Sequence, residues 1–456
     1  MNIKPYSKYK PSGIEWFGAL PSHWVVKRLR FATERIEQGW SPQCDNQAAD
    51  DDAWGVMKVG CVNGDQFDAS ENKALPPELD PKTEYELRPG DVLISRANTR
   101  ELVGSAAIVP SDVRSKLLLC DKLFRIALSP EVDAAYLTFC LRTRAARFQY
   151  EQDATGASGS MQNIGQDAIK NLVFPFPSYA EQQQIAAFLD WKTDQIDALI
   201  AKKQALLQKL KEKRLAVITQ AVTKGLNPDA PMRDSGIAWL GKVPAHWGVK
   251  RLKFVAHVGN GSTPNREDSA YWDGGTYPWL NSSVVNQEQV TNADQFVTPL
   301  ALSECHLPRI SPPAVLVGIT GQGKTRGMAT TLLFEATINQ HLAYVKPDEA
   351  KASVGFLRRV FDMAYAHLRI ESENGGSTKG AITCEQIAEL PIPVPPLDEQ
   401  VVISERIDMA LAKLARMSDN AKSAITRLTE YRSALITAAT TGKIDVRSWQ
   451  APQETV

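Results

Sequence analysis

Two long stretches of the chain place apolar residues at helical spacing. Residues 181–224 and 398–441 contain neither glycine nor proline. Within each stretch, alternating steps of three and four residues form a seam with the heptad spacing of paired helices. The seam is wholly apolar in the second stretch, whereas Lys192, Lys203 and Lys213 interrupt the first. At a rise of 1.5 Å per residue, each predicted helix would be about 60 Å long.

An amphipathic helix of this length needs another apolar surface to cover its stripe. The simplest partner for each helix is the other one, although the pattern also allows each helix to lie on its own globular domain. The side chains predicted to form the seam are Ile185, Leu189, Ile196, Leu199, Leu206, Leu210, Val217, Ile403, Ile407, Leu414, Met417, Leu428 and Leu435.

The remainder of the chain is predicted to form α+β domains. Short apolar or β-branched runs, such as DVLISRA at 91–97 and HLAYVKP at 341–347, alternate with loops rich in glycine, proline and asparagine. Helical patterns follow at 134–149 and 354–368. Short strands joined by long loops and followed by helices are typical of domains with mixed α/β structure.

The chain consists of two copies of one unit. SGIEWFGALPSHWVVKRLRF at 12–31 recurs as SGIAWLGKVPAHWGVKRLKF at 235–254, and LVFPFPSYAEQ at 172–182 matches LPIPVPPLDEQ at 390–400. Between these segments the copies differ strongly. Because the scaffold is shared and the loops are not, we expect two sites of the same kind that recognise different things.

This repeat also suggests where the domains begin and end. The expected parts are an N-terminal segment at 1–24, a globular domain at 25–176, a central helix at 177–225, a linker at 226–247, a second globular domain at 248–394, a C-terminal helix at 395–442 and a tail at 443–456.

One short motif raises the question of nucleotide binding. Residues 318–325, GITGQGKT, match the P-loop pattern. At the equivalent place the first copy has SRANTREL at 95–102, without the glycines or the G-K-T ending. A P-loop opens a helix, whereas the sequence after Thr325 predicts a strand. We therefore expect a polar loop between two strands. Its guanidinium, amide and hydroxyl groups suit base edges, although an ordinary solvated hairpin explains them as well.

Charge and composition narrow the class of protein. Fifty-two basic residues balance fifty-two acidic ones, which disfavours DNA binding by the chain alone, because nucleic-acid binders usually carry a basic excess. A local basic groove or a partner that contacts the phosphates is still compatible with this balance. Six scattered cysteines without a C-x-x-C pair predict reduced buried thiols. The polar N-terminus and the lack of a long apolar run predict no signal peptide and no membrane span, so we expect a cytoplasmic protein.

Catalytic motifs are missing from the sequence. The six histidines have no metal-ligand spacing, and the N/D-P-P-Y/F motif of an amino-methyltransferase does not occur. His23-Trp24 and its repeat His246-Trp247 are expected to pack at the entrance of each domain. We therefore expect a non-catalytic chain with no metal site and no cofactor of its own.

The order of these motifs resembles one family, the specificity (S) subunits of type I restriction–modification systems. The resemblance covers essentially the whole chain. It rests on LPIPVPPLDEQ and its partner LVFPFPSYAEQ, the tails RLAVITQAVTKG and RSALITAATTGK, GDVLISRAN at 90–98, TGASGSMQNI at 155–164, and GSTPNREDSAYWDGGTYPWL at 261–280. The hinge PSYAEQ departs from the family pattern PPLxEQ, which leaves its local geometry open.

The resemblance implies a fold and a function. The fold would be two tandem target-recognition domains, each followed by a long helix, with the helices packed as an antiparallel coiled coil and the halves related by a pseudo-twofold axis. Each domain would recognise one half of a split double-stranded DNA site, and the helices would fix the spacer. The chain would recruit two adenine-N6 methyltransferase subunits and two motor-nuclease subunits. S-adenosylmethionine, ATP and Mg would be bound by those partners.

Polar loop residues near equivalent positions of the repeat are the candidates for DNA contact. They are Arg96, Asn98, Thr99, Arg100, Ser158, Ser160, Gln162 and Asn163 in the first domain, and Ser262, Thr263, Asn265, Arg266, Gln322, Lys324, Thr325, Arg326, Ser377, Thr378 and Lys379 in the second. Two other functions are still to be tested. One is a coiled-coil scaffold without a DNA role, and the other is a P-loop nucleotide-binding protein that uses Gly318–Thr325.

Overall fold

The structure is a computed structural model that describes residues 4–153, 155–158, 161–321, 323–374 and 380–452. The α-helices are α1 (Ala134–Leu141), α2 (Arg144–Asp153), α3 (Gln166–Asn171), α4 (Tyr179–Lys224), α5 (Pro299–Glu304), α6 (Val354–Asn374), α7 (Cys384–Glu389) and α8 (Leu397–Thr440). Short 3-10 turns occur at Leu29–Phe31, Val59–Val62, Thr83–Tyr85, Leu252–Phe254, Ser269–Tyr271 and Ser282–Asn286.

Short strands make up the rest of the regular structure. In the first half they are β1 (Tyr9–Pro11), β2 (Ala19–Pro21), β3 (Val25–Arg28), β4 (Thr33–Gln38), β5 (Gly55–Met57), β6 (Asn72–Ala74), β7 (Val92–Ser95), β8 (Ala97–Asn98), β9 (Ala106–Ile108), β10 (Leu117–Leu118), β11 (Leu123–Leu128), β12 (Thr155–Ser158), β13 (Met161–Asn163) and β14 (Val173–Phe176). In the second half they are β15 (Met232–Asp234), β16 (Lys242–Pro244), β17 (Gly248–Arg251), β18 (Ala256–Asn260), β19 (Tyr277–Leu280), β20 (Gln289–Val290), β21 (Gln295–Val297), β22 (Ala314–Gly318), β23 (Ala329–Leu332), β24 (Thr337–Ile338), β25 (Leu342–Pro347) and β26 (Pro391–Val394).

The chain divides into two compact units. Unit 1 comprises residues 1–203 and 424–456, and unit 2 comprises residues 204–423. Each unit therefore contains part of α4 and part of α8. The mixed α+β composition, the two long helices and the tandem arrangement confirm the fold class predicted from the sequence.

The main antiparallel sheet has the same strand order in both units. It is β4-β11-β7-β9 in unit 1, and β18-β25-β22-β23 in unit 2, where β20 adds a fifth strand that is parallel to β23. The register is also repeated. Ile94 pairs with Ala106 in unit 1, and Val317 pairs with Ala329 in unit 2, at positions 223 residues later in each case. The sequence repeat is therefore a repeat of hydrogen-bonded pairing.

The strongly diverged middles share a scaffold as well. A parallel strand pair with one antiparallel neighbour occurs as β10-β5-β6 in unit 1 and as β24-β19-β21 in unit 2. These strands are short and contribute to separate small apolar clusters. Sequence comparison of the copies did not reveal this shared pairing, because the strands are only two to four residues long and their sequences differ, as in GVM of β5 and YPWL of β19.

Within each unit, α4 and α8 run antiparallel. In unit 1 the start of α4 shares a core with the end of α8, where Ile185 and Leu189 are buried with Leu435 and Ala439. In unit 2 the end of α4 shares a core with the start of α8, where Val222 is buried among Ile403, Ile407 and Leu411. Each long helix thus packs both against the other helix and against a globular domain. The two arrangements that the sequence allowed therefore occur in the same structure.

Two predicted seam residues lie outside the buried stripe. Leu199 is 46 % exposed and Met417 is 41 % exposed, while the neighbouring residues Ile200 and Ser418 are partly buried. Ile185, Leu189, Ile196, Leu210, Ile403, Ile407 and Leu435 are buried, and Leu206, Val217, Leu414 and Leu428 are partly buried. This shift by one residue is in the direction expected of a ~3.6-residue repeat, which drifts about 20° per heptad from a 3.5-residue repeat.

A glutamate at the start of each long helix fixes the entrance of its domain. Glu181 accepts hydrogen bonds from the Trp24 indole at 3.1 Å and the Tyr6 hydroxyl at 2.7 Å, and it lies 2.9 Å from His23. Glu399 makes the equivalent contacts with Trp247 at 3.0 Å and with His246 at 2.9 Å. Both His-Trp pairs therefore pack at the domain entrance, as expected, and they do so against a long helix that is distant in sequence.

The glutamine that follows each glutamate holds the loop before the domain helix. The amide oxygen of Gln182 accepts from the Asp133 backbone N–H at 3.0 Å, and its amide nitrogen donates to the carbonyls of Glu131 and Pro177. Gln400 makes the same three contacts, with Ser353, Lys351 and Pro395. The hinge that departed from the family pattern thus has the same local geometry as its repeat.

Candidate nucleic-acid interface

The candidate site in each unit is built around a loop between two strands of the main sheet. We name residues 96–105, between β7 and β9, hairpin loop 1, and residues 319–328, between β22 and β23, hairpin loop 2. Hairpin loop 2 contains most of the P-loop-like motif. The described residues after Thr325 form a turn and then strand β23, with no helix to face a phosphate. This agrees with the strand–loop–strand arrangement expected from the sequence.

An arginine from the following helix anchors each hairpin loop. In unit 2, Arg369 of α6 donates to the carbonyl oxygens of Gly323 at 2.7 Å and Arg326 at 3.3 Å. In unit 1, Arg147 of α2 donates to the carbonyls of Arg100, at 3.4 Å, and Val103. The accepting residues occupy the same places in the repeat, 223 positions apart. The two loops are thus held at equivalent backbone points although their side chains differ.

A tyrosine accompanies each anchoring arginine. Arg147 lies over the Tyr150 ring, and Arg369 lies over the Tyr365 ring, both at 5.6 Å from the ring centroid. The Tyr365 hydroxyl also donates to the Lys324 carbonyl at 2.8 Å. We name these arginine–tyrosine pairs the loop anchors. Sequence reasoning missed them because the order of the pair is reversed: the tyrosine follows the arginine by three positions in α2 and precedes it by four in α6.

A glycine allows each loop to turn over its anchor. Gly104 and Gly327 have φ values of +81° and +84°, a region that residues with side chains rarely adopt. A Cβ atom at Gly104 would lie 2.5 Å from the Tyr150 ring. The backbone conformation therefore explains why both copies have glycine at this position.

The candidate residues of unit 1 lie at different depths. Thr99 and Arg100 are exposed at the tip of hairpin loop 1. Arg96 is partly buried and donates to the Asp121 carbonyl at 3.3 Å. Asn98 is only 8 % exposed, and its amide nitrogen donates to the Asn63 side chain at 2.7 Å. The structure therefore places Arg100 outward and Asn98 inward.

A second strand brings further candidates next to this loop. Strand β13 pairs with β8, so that Gln162 lies opposite Asn98 and Asn163 opposite Ala97. Both Gln162 and Asn163 are partly buried. Ser158 lies on β12, which pairs with β13 at Met161, and Ser160 lies outside the described residues. The sheet thus joins two sequence segments that were chosen separately.

In unit 2, Arg266 is the most elaborately held candidate. Its guanidinium lies 4.0 Å from the Trp272 ring centroid and 4.6 Å from that of Trp279, and it donates to the Gln295 side chain at 2.9 Å. Both the arginine and Asn265 are exposed. An arginine stacked on aromatic rings keeps its charge at a defined position on the surface, as base or phosphate recognition requires.

Ser262 and Thr263, just before this arginine, are partly buried and already paired. The Ser262 hydroxyl donates to the Cys305 carbonyl, and the Thr263 hydroxyl donates to the Gln340 side chain. Both hydroxyls therefore help to hold the loop.

Hairpin loop 2 divides in the same way as hairpin loop 1. Lys324 is exposed and Thr325 is partly buried. Arg326 is 4 % exposed, and its guanidinium donates to the Gly380 carbonyl at 2.8 Å and to Glu373 at 2.6 Å. Arg326 therefore lies inside the domain, where it can position the loop. Gln322, Ser377, Thr378 and Lys379 lie outside the described residues.

The described residues contain no group of three or more His, Cys, Asp or Glu side chains that could hold a metal ion. Within the same part of the chain, no helix is long and apolar enough to cross a membrane.

Cys61, Cys120 and Cys140 are buried and unpaired, and burial raises the pKa of the Cys120 and Cys140 thiols to about 12. These thiols are therefore protonated at neutral pH.

Together the fold and the two loops define a class of protein: two related globular domains on antiparallel helices, each presenting a differently decorated polar loop on an equally anchored scaffold. Residues 61–212 and 244–426 match the family described as "Type I restriction modification DNA specificity domain". The chain belongs to this family and carries two such domains. It is therefore a specificity subunit, the component that recognises DNA, and catalysis lies in other subunits.

Individual relatives agree over most of the chain. It is 23 % identical to the "Putative type I restriction enzyme MjaX specificity subunit" of Methanocaldococcus jannaschii over 94 % of this chain and 96 % of the relative. A shorter segment, 38 % of this chain and 29 % of the relative, is 31 % identical to the EcoEI specificity subunit of Escherichia coli.

Solved structures support the same fold. A structure described as the "Structural basis underlying complex assembly and conformational transition of the type I R-M system" matches with a TM-score of 0.70 at 17 % identity, covering 93 % of this chain and 99 % of that one. The HsdS subunit from Thermoanaerobacter tengcongensis matches with a TM-score of 0.55, also at 17 % identity, covering 93 % and 98 % of the two chains.

Proposed function

We propose that the globular domain of each unit recognises one half of a split DNA site, and that α4 and α8 set the unspecified gap between the halves. One observation carries this proposal: the loop anchors hold equivalent carbonyl groups in both units, while the exposed side chains of the two loops differ. Equal scaffolds with unequal tips suit two half-sites of different sequence.

The exposed groups have the chemistry that base recognition needs. Arginine and lysine form hydrogen bonds to guanine O6 and N7, and glutamine and asparagine do so to adenine. Arg100 in unit 1, and Arg266 and Lys324 in unit 2, present such groups at the surface, and the Thr99 hydroxyl can contact either purine. Asn98 and Arg326, which lie inside their domains, would act by holding the loops, and Gln162 would act beside Asn98.

Partner subunits would supply what this chain lacks. A net charge of zero leaves little excess to neutralise phosphates, and DNA affinity depends strongly on the number of such contacts. Two methyltransferase subunits that help to enclose the DNA would provide them, one for each equivalent unit. Those subunits would bind S-adenosylmethionine, and two motor-nuclease subunits would bind ATP and Mg. The assembly would act on DNA in the cytoplasm.

The test is a genome-wide map of N6-methyladenine in cells that carry the partner methyltransferase, with and without this chain. We expect a split motif with a fixed gap that appears only when the chain is present. Methylation without any such motif, although the two proteins co-purify, would refute DNA recognition and favour a scaffold. In that event, ATP binding that Lys324→Ala abolishes would favour the P-loop alternative.

A further inference from the structure

A cluster of charged side chains joins the globular domain of unit 2 to both long helices. Glu288, in the loop before β20, is paired with Arg214 of α4, with Arg358 of α6 at 3.5 Å and with Arg359 of α6 at 3.2 Å. Arg359 also pairs with Asp408 of α8 at 2.6 Å. We name these five residues junction cluster 2. One loop carboxylate is thus connected to three helices.

Unit 1 contains an equivalent arrangement. Asp65 pairs with Arg432 of α8 at 2.7 Å and lies 4.0 Å from Arg142, the residue that follows α1. Arg432 also pairs with Asp197 of α4 at 3.0 Å, and Asp190 of α4 lines a cavity together with Arg142 and Asp65. We name these five residues junction cluster 1.

The two clusters correspond through the repeat. Asp65 and Glu288 are 223 positions apart, whereas Asp190 and Asp408, and likewise Arg214 and Arg432, are 218 positions apart. The long helices exchange roles between the units: α4 supplies the arginine in unit 2 and the aspartate in unit 1. Each cluster borders a cavity of about 440 Å³. The carboxylate lies in the region where the two copies differ most, and yet its charge recurs.

Burial makes these contacts more restrictive than ordinary surface ion pairs. The Arg358, Arg359 and Arg432 side chains are 8, 11 and 13 % exposed, although Glu288 is 51 % exposed. Burial acts to raise the pKa of Glu288, but Arg214, Arg359 and Arg358 outweigh it, so its pKa lies below the ordinary value. Buried guanidinium groups have a fixed donor geometry, so the clusters can define an orientation even where a single exposed pair adds little stability.

We propose that the junction clusters fix the orientation in which each recognition domain is held on its helices, and thereby restrict the gap between the two half-sites. This inference rests on the proposed function. The clusters are positioning devices: they would leave the bases recognised in each half-site unchanged and limit which gap lengths the complete protein accepts. No base contact is required of any cluster residue.

The experiment compares two substitutions of one residue, Glu288→Gln and Glu288→Asp, in the full-length chain with its methyltransferase partner. Glutamine removes the charge at nearly constant shape, whereas aspartate is the residue that unit 1 uses in this place. N6-methyladenine is mapped on a DNA library that carries the wild-type half-sites separated by the native gap or by one base pair more or fewer.

We expect Glu288→Gln to raise methylation at the altered gaps about five-fold relative to the native gap, the scale of one partly exposed ion pair. The half-site sequences should not change, and Glu288→Asp should stay close to the wild type. Asp65→Gln with Asp65→Glu repeats the comparison in unit 1. A relaxed half-site sequence with an unchanged gap would overturn the proposal, because Glu288 would then act in base recognition. An unchanged gap preference in both glutamine variants, folded as judged by thermal unfolding, would also overturn it.

Failure of the underlying function gives a different result. If the wild-type protein directs methylation without a split motif, DNA recognition itself is refuted before any variant is compared. If Glu288→Gln unfolds the protein, Arg214→Lys decides, since lysine keeps the charge but loses the planar donor geometry. Broadened gap tolerance in Arg214→Lys supports the proposal, and an unchanged preference refutes it.

Discussion

At the scale of single residues, the two glutamates at the start of α4 and α8 make equivalent contacts, but we expect these contacts to contribute differently to the free energy of unfolding. The Glu181 side chain is 5 % exposed and accepts from two buried donors, whereas the Glu399 side chain is 30 % exposed and accepts from one. Removing an acceptor leaves each of its buried donors unsatisfied, at about 1–3 kcal/mol for each group. Glu181→Ala strands two such donors, Tyr6 and Trp24, whereas Glu399→Ala strands one, Trp247.

We therefore expect Glu181→Ala to lower the free energy of unfolding by about 3 kcal/mol and Glu399→Ala by about 1 kcal/mol. Denaturant unfolding followed by tryptophan fluorescence measures both, because Trp24 and Trp247 are among the affected donors. Equal losses in the two variants would show that neither the exposure of the glutamate nor the number of its buried donors decides the cost.

The loop anchors lead to a second expectation, which concerns specificity. Arg369→Ala frees the carbonyls of Gly323 and Arg326, so hairpin loop 2 should lose its fixed geometry. Discrimination in the second half-site should fall about five-fold, equivalent to about 1 kcal/mol, while the first half-site is unaffected. Methylation mapping measures both half-sites in one sample.

Arg147→Ala is the matched control for this prediction, because it should relax the first half-site alone. Arg369→Lys should restore little, since one ammonium group cannot reproduce the guanidinium geometry. If either alanine variant relaxes both half-sites equally, the loops do not act independently and the anchoring role is wrong.

Some of this residue-level detail was predictable from the sequence and some was not. The His-Trp pairs were identified as packing residues because they recur, but their partner glutamates lie more than 150 positions away and only the fold brings them together. Arg326 was selected as a polar loop residue for DNA contact, but its side chain is buried. Its partners Glu373 and Gly380 are about 50 positions away in the sequence, so no local pattern reveals this burial. Thr99, Arg100 and Lys324 are exposed at the loop tips, as their polar loop sequence predicted.

At the scale of secondary-structure elements, the long helices were predictable in extent but not in phase. The lack of glycine and proline, together with the apolar periodicity, predicted helices at 181–224 and 398–441, and the structure has them at Tyr179–Lys224 and Leu397–Thr440. The heptad pattern failed at Leu199 and Met417, where the next residue along the helix, Ile200 or Ser418, is the partly buried one. A shift by one residue in this direction is what a ~3.6-residue repeat gives relative to a 3.5-residue repeat.

This phase difference predicts a contrast within α8. Ile407 is 1 % exposed and Met417 is 41 % exposed, although the heptad pattern gave them the same status. Ile407→Ala should lower the free energy of unfolding by about 2–5 kcal/mol, as large-to-small core substitutions do, and Met417→Ala by no more than about 0.5 kcal/mol.

Denaturant unfolding of the two variants decides between the two seams. A large loss for Met417→Ala would restore the heptad interpretation and show that this residue is covered in solution. Leu199→Ala in α4 is the parallel case and should also have a small effect.

At the scale of the whole molecule, the repeat explains why the end of the chain returns to its beginning. After α4, the segment 226–247 lies in unit 2, where Arg233 donates to the Trp247 carbonyl. After α8, the tail lies in unit 1. The backbone of Asp445 donates to the Lys4 carbonyl at 2.8 Å, and Trp449 packs against Phe188. The sequence repeat predicted two tandem units, but a unit assembled from both ends of the chain could not be predicted, because no pattern links these segments.

Removal of residues 443–456 should therefore affect unit 1 alone. Val446 and Trp449 are 1 % and 8 % exposed, so their loss uncovers apolar surface around Phe188 and the start of α4. Burying such side chains contributes roughly 1.5–3 kcal/mol each. Hydrogen exchange followed by mass spectrometry should show faster exchange in residues 4–40 and 179–195, while residues 248–423 keep their protection. Methylation should lose specificity in the first half-site and retain it in the second. If protection instead fell equally in both units, they would unfold as one cooperative block, and the division of the chain into separately stabilised units would be wrong.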